Sequence, residues 1–317
     1  MKGLAAVILA AGASSRMGQF KPLLVIDGQT MIGRVTDSMQ KAGASPVVVV
    51  TGYQAERLRS HLSGRGLTFV HNDRYYETQM MDSLLMGLEA LPPDTRRVLV
   101  ALADVPLVKE KTIEALLAAP GAFVRPVCSK RGGHPVLIDY ALYPHIKAYT
   151  GKGGLRGAVA DSGVRVVDVP VDDRGVTLDS DTRAGYERLL KYNREETNRP
   201  QPLQLDLQLG LRAETAFWTA ATAQFLELIA ATGAMLSACQ CMHISYTKGW
   251  TMINEAERQL GYPLLQRSQG GSGGGGSELT AQGHELLARW QAMQAELQAA
   301  GQAAFQKYFG RWEEGAK

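Results

Sequence analysis

The sequence predicts an α/β protein: a Rossmann-like three-layer domain with a mostly parallel sheet, followed by a smaller, helix-rich domain. Three observations carry this. Short apolar runs alternate with helix-period segments as far as about residue 194, and such alternation builds a sheet with helices on both faces. Several runs are apolar at every position, the composition of parallel strands buried on both sides. A polar stretch at residues 191–202 ends in Pro200 and Pro202, which marks a domain boundary.

In order, strands are expected at residues 4–10, 47–51, 68–71, 97–101, 122–126 and 164–169, with helices at 31–42, 53–62, 82–91 and 109–118. The start of the chain superficially resembles a secretory leader. Its apolar run is short and leads straight into Gly12 and Arg16, so a buried first strand is expected instead. No apolar run approaches the roughly 20 residues of a membrane helix. Beyond the boundary, residues 203–211 alternate like a half-exposed strand, and helices are expected at 220–231, 235–242, 247–260 and 280–309.

Composition bounds the function. The 317 residues are 45% hydrophobic and 21% charged, ordinary for soluble globular protein, and the formal net charge is only +3. Residues 200–317 carry 8 Lys+Arg against 10 Asp+Glu, and the rest carry 26 against 21. The basic excess therefore lies in the first domain, where it suits phosphate handling. Cys128, Cys239 and Cys241 form no C-x-x-C pair. That argues against a disulfide framework or zinc site and makes a reducing, cytoplasmic location the expectation.

The most specific signal is the segment from Leu9, Ala10, Ala11, Gly12 and Ala13 through Arg16 to Lys21. A strand ends, small residues let backbone N–H groups approach phosphate oxygens, and two cations follow. Arg16 offers a planar fork and Lys21 a point charge to neutralise departing pyrophosphate. The plain alternative is a tight strand-to-helix turn. Asp104 ends another apolar strand, facing the crevice where ligands bind in open α/β sheets; a helix cap is its alternative. Mg²⁺ needs only one or two carboxylates besides phosphate oxygens. Asp179 and Asp181 would share a face if extended, or form a solvated turn. Ser83 either hydrogen-bonds the base or ribose or caps a helix. His134 lies in a Gly-His-Pro loop shaped for a ligand or for structure. Lys152 and Arg156 flank Gly153 and Gly154, and either hold an acceptor phosphate or are surface cations.

Residues 1–190 resemble the molybdenum cofactor nucleotidyltransferases and, more widely, the sugar-phosphate and methylerythritol-phosphate nucleotidyltransferases. The resemblance runs through the Leu9–Pro22 loop, Val50-Thr51-Gly52-Tyr53, His71-Asn72-Asp73, Met80-Met81-Asp82-Ser83-Leu84, Gly132-Gly133-His134-Pro135 and Leu178-Asp179-Ser180-Asp181-Thr182. It implies Mg²⁺-dependent transfer of a nucleoside monophosphate to a phosphorylated pterin-type acceptor. Asp104 is then the first metal ligand and Asp179 the second, with Asp181 in reserve. The Gly-His-Pro element is most like the cytidylyltransferase branch, which uses CTP; the guanylyltransferase branch, with GTP, is its close competitor.

Residues 203–300 resemble the winged helix-turn-helix domain of molybdate-responsive regulators related to the LysR type. Leu226–Gly233, Ile244-Ser245-Tyr246-Thr247-Lys248-Gly249-Trp250 and Leu264-Leu265-Gln266-Arg267 carry the match. The resemblance implies DNA binding, with Thr247, Lys248 and Thr251 facing the duplex and Arg267 with the glycine tract forming a wing. His243 stands where the turn often carries glycine. The expected organisation is thus a transferase domain (1–194), a linker (195–202), a winged domain (203–280) and a C-terminal helix (281–317) that either makes a homodimer or packs on the winged domain. A regulator whose transferase fold serves as a ligand sensor is the rival organisation.

Overall fold

The computed structural model describes residues 3–12, 20–198, 203–267 and 276–309. It divides into two compact units, one comprising Met1–Ala13 and Phe20–Gln201, the other including Pro202–Lys317.

The first unit opens with β1 (Leu4–Ala10), the hairpin β2 (Val25–Ile26) and β3 (Gln29–Thr30), and α1 (Met31–Lys41). β4 (Val47–Thr51), α2 (Ala55–His61), β5 (Thr68–His71), α3 (Met80–Glu89), β6 (Arg97–Leu102) and α4 (Glu110–Ala118) continue the alternation. β7 (Phe123–Cys128), β8 (Arg131–Gly132), β9 (Val136–Asp139), α5 (Tyr143–Ala148), α6 (Gly154–Asp161), β10 (Val166–Pro170) and α7 (Arg183–Thr197) complete it. The sheet runs β10-β7-β9-β6-β1-β4-β5, with β8 on β7. β9 lies antiparallel to both β6 and β7, while β6, β1, β4 and β5 are mutually parallel, as are β7 and β10.

The continuous apolar runs have a simple cause. Along β1, Leu4, Ala6, Ile8 and Ala10 face Ile32, Val35 and Met39 of α1, Leu58 of α2 and Ile113 and Leu116 of α4. The intervening Ala5, Val7 and Leu9 face Leu84 and Leu88 of α3, Ile146 of α5, and Ala158 and Val159 of α6. Both faces are covered, so neither can be polar. The sequence does not announce β9: the apolar run Val136-Leu137-Ile138 is only three residues long, and its antiparallel insertion between β6 and β7 is set by partners remote in the chain.

The expected linker at 195–202 requires correction. α7 continues to Thr197, and Asn198 ends it in the left-handed region, donating its N–H to the Arg194 carbonyl. Glu196 pairs with Lys109 at 2.6 Å. Residues 195–198 therefore belong to the first unit. The polar composition is a solvated helix face, whose inner side buries Leu189, Tyr192 and Asn193.

The second unit is β11 (Gly210–Arg212), β12 (Ala216–Thr219), α8 (Ala220–Thr232), α9 (Met235–Met242), α10 (Tyr246–Leu260), β13 (Leu265–Arg267), β14 (Ser277–Leu279) and α11 (Ala281–Phe309). β11 pairs with β12 and β13 with β14, both antiparallel. Trp218, Phe225, Leu228 and Ile253 are fully buried, and Trp290 of α11 meets Trp218 edge-on at 6.2 Å. The strand expected at 203–211 is confined to its last residues. Leu205 and Leu207 instead lie against Gly301 of α11, so closely that a Cβ there would come within 2.6 Å of Leu207. Their alternation covers a helix rather than a sheet.

One buried carboxylate organises the approach to the crevice in the first unit. Asp173, 1% exposed, accepts from the Lys109 N–H (2.8 Å), Thr112 Oγ1 (2.7 Å), the Gly175 N–H (2.9 Å) and Tyr192 Oη (3.2 Å). Asp173→Asn keeps the shape but replaces one carboxylate oxygen, so that amide hydrogens face two of the four donors. It should cost about 2–4 kcal/mol of stability, measured by urea unfolding; a loss within experimental error would remove Asp173 from this role.

Candidate active site

The parallel strands β1, β4 and β6 end on one edge, with Ala10 beside Thr51 and Leu9 beside Leu102. Leu9, Ala10 and Ala11 are buried, and Gly12 is exposed, with open space where a Cβ would stand. Gly52 allows β1 its exit: a Cβ there would lie 2.5 Å from the Ala11 carbonyl oxygen. Ala13 and Arg16 lie outside the described residues. Phe20 is buried edge-on to Tyr53, 5.9 Å between centroids. It leads into a 3₁₀ turn, Lys21–Leu23, with Pro22 in its first turn. That places Lys21 Nζ 2.9 Å from Asp181 Oδ1, with the lysine side chain only 13% exposed.

Asp104 sits two residues beyond β6. It is no helix cap, because α4 begins at Glu110 with Lys109 as its cap residue. Burial pushes the Asp104 carboxyl above the usual carboxylate range; the negative charge of Asp181 adds to this, Lys21 opposes it, and Asp179 adds further. Lys21, Asp104, Asp179 and Asp181, which are far apart in sequence, thus share one electrostatic neighbourhood. Asp179 Oδ1 also accepts from the Asp181 N–H at 3.3 Å, folding the pair into a turn rather than an extended strand.

Two elements hold this turn. Asp173 fixes the preceding 3₁₀ turn, Arg174–Thr177, against α4 and α7. The Gly133-His134 backbone then packs on Val176: the His134 N–H donates to the Val176 carbonyl at 2.9 Å, and a Cβ on Gly133 would approach that oxygen to 2.3 Å. Sequence reasoning misses Asp173, although an Asp two residues before a glycine is the pattern of a side chain that closes its own turn.

The expected acceptor-binding set is not gathered. The His134 ring lies with Val35 and Met39 on the α1 side of the sheet, where burial holds its pKa below the usual histidine range, partly offset by a hydrogen bond with the Val100 backbone. Lys152 and Arg156 are exposed beside the start of α6, a helix packed on the other face. Ser83 is also not presented to a ligand. It is 4% exposed and accepts from Asn72 Nδ2 at 3.0 Å; the same nitrogen donates to Thr78 Oγ1 at 2.8 Å. Ser83 does not cap α3 either, since Gln79 and Asp82 form the capping box. Asn72, 2% exposed, falls in a motif of the resemblance but its role is not legible there: it ties the loop after β5 to α3.

In the second unit, Thr247, Lys248 and Thr251 are exposed on α10, beside exposed Tyr246 and Trp250. Ser245 caps the helix, accepting from the Lys248 N–H at 3.2 Å, and Thr251 Oγ1 donates back to the Thr247 carbonyl at 2.9 Å. His243, at φ 50°, makes the turn between α9 and α10 in the left-handed region that usually favours glycine. The Arg267 side chain and residues 268–275 of the glycine tract lie outside the described residues. Among the described residues, no helix is long and apolar enough to cross a membrane.

Comparison with known proteins agrees with the first unit. The bifunctional protein GlmU of Francisella tularensis subsp. novicida is 38% identical over 118 residues, covering 36% of this chain and 25% of that protein. The chain thus spans about a quarter of the length of the curated relatives it matches. A nucleotidyl transferase from Methanothermobacter superposes with a TM-score of 0.54 at 24% identity, covering 61% of this chain and 98% of that one, a likeness of fold alone. Rv0371c of Mycobacterium tuberculosis H37Rv gives 0.54 at 25% identity over 60% of this chain and 98% of its own, and its structure has also been solved in complex with manganese. Residues 6–166, just over half of the chain, match the family model described as the MobA-like NTP transferase domain, and the chain belongs to that family.

Proposed function

We propose that the first unit is a Mg²⁺-dependent cytidylyltransferase that passes CMP from CTP to a phosphorylated, molybdopterin-type acceptor and releases pyrophosphate. What supports metal-dependent transfer is Asp104 just past the carboxyl end of β6, with the charges of Asp181, Lys21 and Asp179 acting on it; among the described residues these acids do not form a ready-made three-ligand metal cluster. These oxygen donors suit a hard divalent cation. Asp104 and Asp179 would hold it, with Asp181 available once Lys21 turns to phosphate. Bound there, the cation supplies charge neutralisation between phosphate oxygens. The small residues Ala10–Gly12, after Leu9, leave room for the triphosphate, and Arg16 and Lys21 take up the charge that develops on pyrophosphate. The acceptor's terminal phosphate oxygen attacks the α-phosphorus in line as the bond to pyrophosphate breaks, so no protein nucleophile is required. Ser83 and Asn72 act by positioning the loop after β5. The CTP and pterin assignments rest on the likeness of Gly133-His134-Pro135 and residues 178–182 to the cytidylyltransferase branch.

Asp104→Asn should nearly abolish turnover. In metal-free buffer at neutral pH it should also raise the thermal midpoint. The sign comes from the raised carboxyl: the wild type is favoured while Asp104 stays protonated, and loses that contribution as pH rises from the unfolded-state value through the higher folded-state one. The advantage of the Asn variant should therefore shrink on acidification. Near-normal turnover in this variant would end the metal assignment. Lys21→Ala should lower turnover by about 10²- to 10³-fold.

Base preference is tested separately. Single-turnover competition between CTP and GTP, with a molybdopterin-type acceptor, should favour CTP. Preferential use of GTP would move the enzyme to the guanylyltransferase branch without altering the metal site.

We further propose that the second unit is a winged helix-turn-helix module that binds DNA as a homodimer. The order hairpin, α8, α9, turn, α10, hairpin supports it, with α10 as the groove helix and the β13–β14 hairpin as the wing. The far part of α11 exposes Leu297, Tyr308 and Phe309, a surface suited to a second copy. Full-length protein should bind duplex DNA at low salt. Replacing both Lys248 and Arg267 with Ala should weaken binding and reduce the salt slope by roughly 2. A folded dimer with no affinity for DNA at low salt would make the module a protein-interaction domain instead.

A further inference from the structure

A small apolar core lies apart from the two that flank the sheet. Ile26 of β2 and Leu189 of α7 are fully buried in it, and Leu24, Leu107, Leu178 and Tyr186 pack against them. The three partly buried leucines are close chain neighbours of the charges in the crevice. Leu24 is three residues past Lys21, Leu107 three past Asp104, and Leu178 one before Asp179. Lys21 and Asp181 attract each other, but Asp179 and Asp181 both repel a charge on Asp104. Their own electrostatics therefore do not assemble these segments, and the shared core does. Apolar burial is non-directional: it brings segments into contact without fixing their register.

Hydrogen bonds supply the direction. Tyr186 Oη donates to the Val25 carbonyl. Arg34 of α1 donates to the next carbonyl, that of Ile26, from Nε at 3.0 Å and Nη2 at 2.7 Å. The β2–β3 hairpin so held follows directly on the 3₁₀ turn that carries Lys21, and the Leu24 N–H donates to the Lys21 carbonyl at 2.9 Å. On its other side Tyr186 stands in the first turn of α7, where its N–H donates to the Thr182 carbonyl at 2.9 Å. Gly185 beside it lets the acidic turn lie close: a Cβ there would come within 2.8 Å of the Asp179 carbonyl oxygen. One side chain thus ties the hairpin behind Lys21 to the helix behind Asp179 and Asp181. Burial pushes the Tyr186 hydroxyl above the usual tyrosine range, against the opposing effect of its bond to Val25, so it remains a donor at neutral pH. We propose that Tyr186 is a positioning residue for the transfer: its hydrogen bond to Val25 sets the register of Lys21 against Asp179 and Asp181, and through them the affinity of the site for a divalent cation with its triphosphate. This rests on the transferase reading of the first unit. Tyr186 acts through these charges and not on the phosphates.

The test uses the full chain, with Mn²⁺ as a spectroscopic probe and non-hydrolysable analogues of CTP and GTP. Tyr186→Phe keeps the ring in the core and removes only the hydroxyl. With the better-bound analogue present, it should weaken Mn²⁺ binding about three- to tenfold, read by electron paramagnetic resonance. Turnover at limiting Mg²⁺ should fall by about tenfold, the scale of a slight misplacement of reacting groups. Raising Mg²⁺ should recover most of that loss, which a general loss of folded protein would not allow; the thermal midpoint checks folding. Gly185→Ala pushes on Asp179 from the same turn of α7 without touching the hairpin, and should weaken Mn²⁺ binding in the same sense. Tyr186→Phe and Lys21→Ala should be non-additive in turnover, because register matters little once Lys21 is gone. Asp104→Asn separates the two levels of the argument: near-normal turnover there ends the metal-dependent reading itself. With Asp104→Asn inactive, wild-type Mn²⁺ affinity and Mg²⁺ dependence in a folded Tyr186→Phe protein, or effects that simply multiply with those of Lys21→Ala, would overturn the role of Tyr186 alone.

Discussion

Much of the crevice edge of the first unit depends on a carboxylate that is sealed from solvent. Asp173 is almost fully enclosed, and a charge removed from water persists only if its lone pairs are answered by well-placed donors. Here four donors answer, from three parts of the chain: the start of α4, the turn after β10, and α7. One of them, Tyr192, is held in its protonated form, its pKa pushed up to about 12 by burial and by the negative Asp173. Because each donor would be stranded by movement of the others, the arrangement tolerates little slack. The segment from Arg174 to Asp181 inherits that rigidity. Val176 is clamped by Gly133 and His134, and Asp179 and Asp181 emerge from a turn whose root cannot shift.

The same economy governs the charges in the crevice. Lys21 and Asp181 answer each other at 2.9 Å, and Asp104 sits in a field that disfavours its ionised form. The ion pair suits the free protein, whereas the ionised Asp104 does not. In the proposed reaction a triphosphate accompanied by a divalent cation would exchange both partners at once: phosphate would replace Asp181 on Lys21, and positive charge would relieve the carboxylates. Electrostatic tension of this kind is how a surface rich in acids can still receive a polyanion.

The parts legible in the sequence are those with local causes. The strands β1, β4 and β6 declare themselves because both faces are buried, and Asp104 because a lone acid ends an otherwise apolar strand. Lys21 is legible from its distance past a small-residue loop. The unread parts depend on partners remote in the chain. Asp173 reaches Thr112 across 61 residues, and Asn72 reaches Ser83 only after a loop has turned back. At His134, which the sequence leaves open between a ligand-binding and a structural part, the backbone clamps Val176. The polar run at 191–198 misleads for a related reason, since a solvated helix face and a linker share a composition.

Net charge is a weak guide to the second unit. Screening confines charge effects to about 8 Å at physiological salt, so the local inventory near α10 matters more than the sum over residues 200–317. The acids there are largely engaged away from the start of the helix. Arg258, toward the far end of α10, pairs with Glu255 at 2.8 Å and with Glu214 at 3.1 Å. These contacts, with Gln259 and Thr215, hold Glu255 down to about 2. Glu257 accepts from the backbone N–H groups of Leu264 and Leu265, which lead into β13, and Glu227 accepts from Gln291 of α11. The exposed first turns of α10 therefore present Thr247, Lys248 and Thr251 with little acidic charge of their own element beside them. A polyanion approaching that end meets a local surface quite different from the unit's average, and the aromatic faces of Tyr246 and Trp250 add apolar contact at the same place.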